Sequence, residues 1–91
     1  MSQSILIIDD EPDIRVLLKY NLEKEGYVVQ EAENGQKGIE LAEKLVPDLI
    51  LLDVMMPKVD GFEVLRRLKE DPATKDLKVI ILTNLSAATS D

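Results

Sequence analysis

The stretch Asp48-Leu49-Ile50-Leu51-Leu52-Asp53-Val54-Met55-Met56-Pro57-Lys58-Val59-Asp60-Gly61 decides how this chain folds. Four aliphatic residues stand between two acids. An unbroken apolar run of that length, without alternation, suits a strand covered on both faces. Its first charge is Asp53, and Pro57 and Gly61 punctuate the segment beyond it. A buried strand thus lifts one carboxylate out of the core at the mouth of a loop.

Two other stretches share this layout. Ile5-Leu6-Ile7-Ile8 runs into Asp9, with Asp10 and Glu11 behind it, and Val79-Ile80-Ile81-Leu82 runs into Thr83. If the strands are parallel, their ends lie along one edge of one sheet, where open α/β sheets bind ligands. Asp9, Asp10, Asp53 and Thr83 then converge although they are far apart in the chain.

Composition narrows the chemistry. At 91 residues the chain reads as one small domain, residues 1–91, with nearly half its residues hydrophobic but few aromatics. A net charge of −7 argues against direct nucleic-acid binding and against an anionic membrane surface. Without cysteine or histidine there is no disulfide, no thiolate or imidazole catalysis and no imidazole ligation of metal. The N-terminus lacks a basic region, the apolar run after it is too short for a signal peptide, and nothing approaches transmembrane length. A cytoplasmic protein is expected.

Taken in order, strand one covers about Ser4 to Asp9, and Pro12 suits the first turn of a helix. Ile14, Leu17, Leu18 and Leu22 follow at helical spacing, with Gly26 as the stop. Tyr27 to Ala32 is a more polar strand, expected at a sheet edge. Asn34 can cap a second helix whose apolar face is Leu41, Ala42, Leu45 and Val46, and Pro47 ends it. Gly61 to Asp71 reads as a third helix, with Val64, Leu65 and Leu68 inward and Glu63 placed to pair with Arg67. A loop from Asp71 to Thr74 leads to strand four, Lys78 to Leu82. Strands alternating with helices imply βαβ units and a parallel sheet.

These residues resemble the receiver domain of bacterial two-component response regulators. The resemblance rests on Asp9-Asp10 after strand one, on Asp53 with Met56-Pro57 and Asp60-Gly61 after strand three, and on Thr83 after strand four. It covers residues 4–83 and leaves a short polar tail, 84–91. It implies a flavodoxin-like α/β fold, here with strand order 2-1-3-4. It implies a signalling module, not an enzyme, in which Asp53 accepts a phosphoryl group from a sensor histidine kinase or histidine phosphotransfer protein. Asp9, Asp10, Asp53 and the backbone carbonyl of Met55 would hold Mg²⁺, and Thr83 would contact the phosphoryl group as the moving part of a switch.

The chemistry is coherent without the family. A carboxylate can attack phosphorus to give an acyl phosphate, but its own charge and its acidic neighbours repel the incoming group. A divalent cation removes that objection, and Mg²⁺ prefers oxygen ligands. Singly, the acids could be helix-start residues and Thr83 the end of a strand; jointly and in this order, they favour the site. No phosphate-cradling loop follows strand one, which disfavours a flavin, and a P-loop signature is absent.

The sequence departs from the family pattern after Thr83. A fourth helix, fifth strand and fifth helix are expected there, about 30 residues at ordinary element lengths. The lysine that ends the fifth strand has no counterpart: Lys78 lies at the wrong end of strand four, and Lys58 lies in the loop after strand three. Asn84 stands where the family usually has a small residue and would narrow access to Asp53. The expectation is a receiver fragment, with a homo-oligomer formed through the open edge of strand four and a bare sheet face. The rival reading is a self-assembling structural fragment with a vestigial acidic site.

Overall fold

The computed structural model describes residues 3–54 and 61–82. Four strands, β1 (Ser4–Ile8), β2 (Val28–Ala32), β3 (Leu49–Asp53) and β4 (Lys78–Leu82), alternate with three helices, α1 (Pro12–Lys24), α2 (Gly35–Leu45) and α3 (Gly61–Glu70). The strands form one sheet in the order β2-β1-β3-β4, and every pairing is parallel. This is the expected flavodoxin-like receiver arrangement, with β2 at an edge.

Each helix begins and ends where local chemistry allows. Pro12 occupies the first turn of α1, where its missing N–H costs nothing. The Asn34 side chain accepts a 2.8 Å hydrogen bond from the Lys37 N–H and caps α2. Helix α2 stops at Leu45 because Val46, in the left-handed region at φ 46°, precedes Pro47, which disfavours a helical residue before it. On α3, Arg66 bridges Glu63 and Glu70 one turn to either side, so the partner of Glu63 is Arg66 and not Arg67.

The helices cover the sheet unequally. Helices α2 and α3 share one face. There Leu6, Ile8, Ile50, Leu52 and Val54 pack with Ala32, Ile39, Ala42, Val64 and Leu68 into the larger core. Helix α1 lies on the other face, where Ile5, Ile7, Val29 and Leu51 meet Leu18 and Leu22. Right-handed crossovers require this split. α1 buries no residue completely, and Leu17 is 55% exposed. Residues 14, 18 and 22 make a stripe up the helix, and position 17 falls about 100° off its centre. In α2 the inward residues are Gly35, Gly38, Ile39 and Ala42, with Leu41 partly buried, while Leu45 and Val46 are exposed. On the α1 side of β3 and β4 an open groove of about 690 Å³ is lined by Leu22, Tyr27, Leu49, Leu51 and Ile80. Ile80 is 50% exposed.

The turn after α3 is closed by polar bonds. Asp71 accepts from the Ala73 N–H at 2.9 Å, and the buried Thr74 hydroxyl donates to the Leu68 carbonyl at 2.6 Å. These bonds end the helix and aim the chain into β4.

Gly38 lets α2 rest on the sheet. A Cβ at this position would stand 2.5 Å from Ile8 Cδ1 and 2.7 Å from Cγ1. Ile8 is fully buried and has nowhere to go. Gly38→Ala should therefore destabilise the fold by about 1–3 kcal/mol through overpacking, although alanine in an open helix position gains about 1 kcal/mol over glycine. Urea denaturation of the variant beside wild type checks the sign.

Candidate metal and phosphoacceptor site

The site is built by register. Ile8 is level with Leu52 across the β1–β3 pairing, so the next residue on each strand, Asp9 and Asp53, leaves the sheet at the same height. Asp10 follows Asp9 in the turn toward α1. One carboxylate oxygen from each of Asp9, Asp10 and Asp53 lies within 4.8 Å of the others. Asp9 is buried at 3% exposure, and Asp10 and Asp53 are half-buried.

Asp9 is held on every side. Its N–H donates to the Ala32 carbonyl at 3.1 Å, extending the ladder toward β2. Its carboxylate accepts from the Glu11 N–H at 2.9 Å. Its carbonyl accepts from Arg15 Nη1 at 2.6 Å, while Arg15 Nε donates to Glu31 at 3.1 Å. Gly61 performs a similar service for Asp53. A Cβ there would fall on the Cα of Val54 and 2.9 Å from the Asp53 carbonyl oxygen, so only glycine lets α3 start this close to the end of β3.

Crowding has an electrostatic consequence. Burial pushes the Asp9 carboxyl up to about 6; the nearby Asp53 and Asp10 charges push the same way, and the Glu11 N–H opposes them. A cation at this point relieves both burial and repulsion. The donor set would suit Mg²⁺: it is all oxygen, and metal–oxygen distances of about 2.1 Å put adjacent ligand oxygens roughly 3 Å apart and opposite ones roughly 4 Å, separations of the same order as the 4.8 Å within which these oxygens lie.

Of the residues expected from sequence to act here, the fold brings Asp9, Asp10 and Asp53 together. Met55, Lys58, Thr83 and Asn84 lie outside the described residues; β4 is described as far as Leu82, which is level with Asp53. The sequence reads Gly61 as the entry to the third helix, where α3 does begin, but gives no sign of its close approach to the end of β3, nor of Arg15, whose partners come from the ends of two strands. A lone arginine beside an apolar stripe carries no local sign of such a role.

Comparison with known proteins shows the family and the fold. A family model described as the response regulator receiver domain matches residues 5–90. The DNA-binding dual master transcriptional regulator RpaA of Synechocystis is 57% identical over 81 residues, which are 89% of this chain but 34% of that protein, so the chain spans about a third of its length. The N-terminal domain of a response regulator receiver protein from Methanoculleus marisnigri superposes with a TM-score of 0.86 at 43% identity, covering 89% of this chain and 66% of that one. The response regulator TrrA of Thermotoga maritima, solved in complex with Mg²⁺-BeF, gives a TM-score of 0.83 at 42% identity over 98% of this chain and 76% of its own. TrrA has also been solved in complex with the histidine kinase ThkA.

The raised Asp9 carboxyl makes a pH prediction for the metal-free protein. The folded state holds this proton more tightly than the unfolded chain. Its contribution to stability is complete below the ordinary value of 3.8 and is lost as pH rises through about 6. A difference of this size is worth on the order of 3 kcal/mol. Asp9→Asn keeps an oxygen for the Glu11 N–H and removes the charge. Without metal it should be more stable than wild type at pH 7, and the gap should close toward pH 4. Thermal melts of both proteins across that range test it.

Proposed function

Because this chain belongs to the response regulator receiver family, we propose that it is the phosphoacceptor module of a two-component phosphorelay, with Asp53 as the acceptor. The observation that carries this is the convergence of Asp9, Asp10 and Asp53 at the carboxyl ends of β1 and β3. The donor is a phosphohistidine on a sensor kinase or histidine phosphotransfer protein. The Asp53 carboxylate oxygen attacks phosphorus, the phosphorus–nitrogen bond breaks, and the imidazole leaves with its electron pair. Mg²⁺, when bound, offsets the charge of the acids and of the transferring group. Asp9, Asp10 and Asp53 would hold that cation; the family resemblance adds the Met55 carbonyl as a further ligand, Thr83 as the contact to the phosphoryl group and Asn84 as the residue governing access, all three outside the described residues. Residues 1–91 act as one receiver unit in the cytoplasm, with no direct contact to nucleic acid or membrane. Among the described residues, no helix is long and apolar enough to cross a membrane.

The reaction is testable on the isolated protein. A small phosphodonor with Mg²⁺ should add the mass of one phosphoryl group, and Asp53→Asn should abolish the addition. Labelling on another residue in intact-mass and peptide analysis would overturn the assignment.

The open groove supports a second feature, self-association of the 91-residue polypeptide. Val79 and Ile81 pack inward, whereas Ile80 faces the groove on a strand whose outer edge has no partner among the described residues. Edge strands with apolar side chains recruit other chains. Light scattering at low micromolar concentration should find a dimer or larger species, and Ile80→Lys should shift it toward monomer. A monomeric wild type refutes this part and leaves the phosphoacceptor reading intact.

A further inference from the structure

We propose that Arg15 is a positioning residue for the acidic site: its guanidinium fixes the peptide between Asp9 and Asp10 and so aims the Asp10 carboxylate at the cation. The inference rests on the Mg²⁺ reading above and deepens it.

The geometry is specific. Arg15 is largely buried, its side chain 15% exposed, although it lies on a helix none of whose residues is fully buried. Nη1 donates to the Asp9 carbonyl at 2.6 Å and Nε to Glu31 of β2 at 3.1 Å. Its backbone N–H also donates to the Glu11 carbonyl at 3.1 Å. The Asp9 carbonyl belongs to the same rigid plane as the Asp10 N–H. Holding that oxygen therefore sets the direction from which the Asp10 Cα departs, leaving φ of Asp10 and its side-chain torsions as the remaining freedom. Asp9 has its own anchors, the Ala32 carbonyl and the Glu11 N–H. None of the described hydrogen bonds grips the Asp10 side chain, so its aim depends on the peptide before it.

The role is geometric more than electrostatic. The guanidinium charge is balanced by Glu31, which also has Lys19 Nζ at 3.5 Å. A planar fork can hold a carboxylate and a carbonyl at once; an ammonium on a flexible stem does so poorly. Groups that orient metal ligands typically carry about 10–100-fold in metal affinity.

The test uses Mg²⁺ itself, titrated calorimetrically into wild type, Arg15→Ala, Arg15→Lys and Glu31→Gln, with thermal melts and the Asp9 carbonyl carbon shift recorded without metal. Arg15→Ala should weaken Mg²⁺ on the order of tenfold and move the Asp9 carbonyl shift. Arg15→Lys should remain weakened despite keeping the charge. Glu31→Gln, which loosens one prong, should fall between. If Arg15→Ala does not fold, the lysine and Glu31→Gln variants carry the same comparison. A lower melting temperature with unchanged Mg²⁺ affinity would mean a purely structural arginine and overturn the proposal. Full rescue by lysine would also overturn it, because charge alone would then suffice. A wild type that takes no Mg²⁺ would bring down the parent reading and this one together, an outcome distinct from either.

Discussion

The parallel alignment of β1 with β3 is the constraint on which the rest depends. Ile8 and Leu52 stand level in that pairing, so Asp9 and Asp53 leave the sheet side by side. A slip of one residue would send the aliphatic side chains to the wrong faces, and the two cores resist it. The hydrophobic effect therefore does the aiming. It fixes the strands, and the strands deliver acids that would never gather of their own accord. The penalty for gathering them falls on Asp9, the most buried of the three, and shows as a carboxyl that gives up its proton late.

The sheet's two faces have separate duties. Helices α2 and α3 close the larger core, with Gly38 seated against Ile8 and the Thr74 hydroxyl tying the end of α3 to the chain that becomes β4. Among the described residues α1 is the helix on the other face, and a groove lies on the β3–β4 side of it. The acidic site belongs to neither face. It lies at the ends of the strands, where its geometry depends on register and on short polar ties. What covers the open face can therefore vary without rearranging the carboxylates.

Local patterns were informative where one element settles its own fate. The apolar tetrads, the Asn34 cap, Pro12 and Pro47 marked the elements and their order, and the more polar β2 was placed at an edge. The pattern misled where the choice lay between neighbouring positions on a helix. Leu17 reads as core but points outward, because α1 offers the sheet only a narrow stripe. Leu45 and Val46 read as the face of α2, yet Gly38 and Ile39 are what meet the sheet. Glu63 chose Arg66 over Arg67, a competition between two spacings that the sequence leaves equal.

The sequence by itself determined the class of fold, the strand ends and the acids standing there, because aliphatic runs flanked by carboxylates have few ways to bury themselves. The family resemblance supplied the chemistry those acids serve. Tertiary structure decided the rest: which helix covers which face, why Gly61 must be glycine beneath the end of β3, and that Arg15 reaches the Asp9 carbonyl while holding Glu31. Those contacts join residues whose separation in the chain carries no periodicity. They exist only once two strands and a helix are packed, since distance in space, not order in sequence, sets the energy of a hydrogen bond or a steric clash.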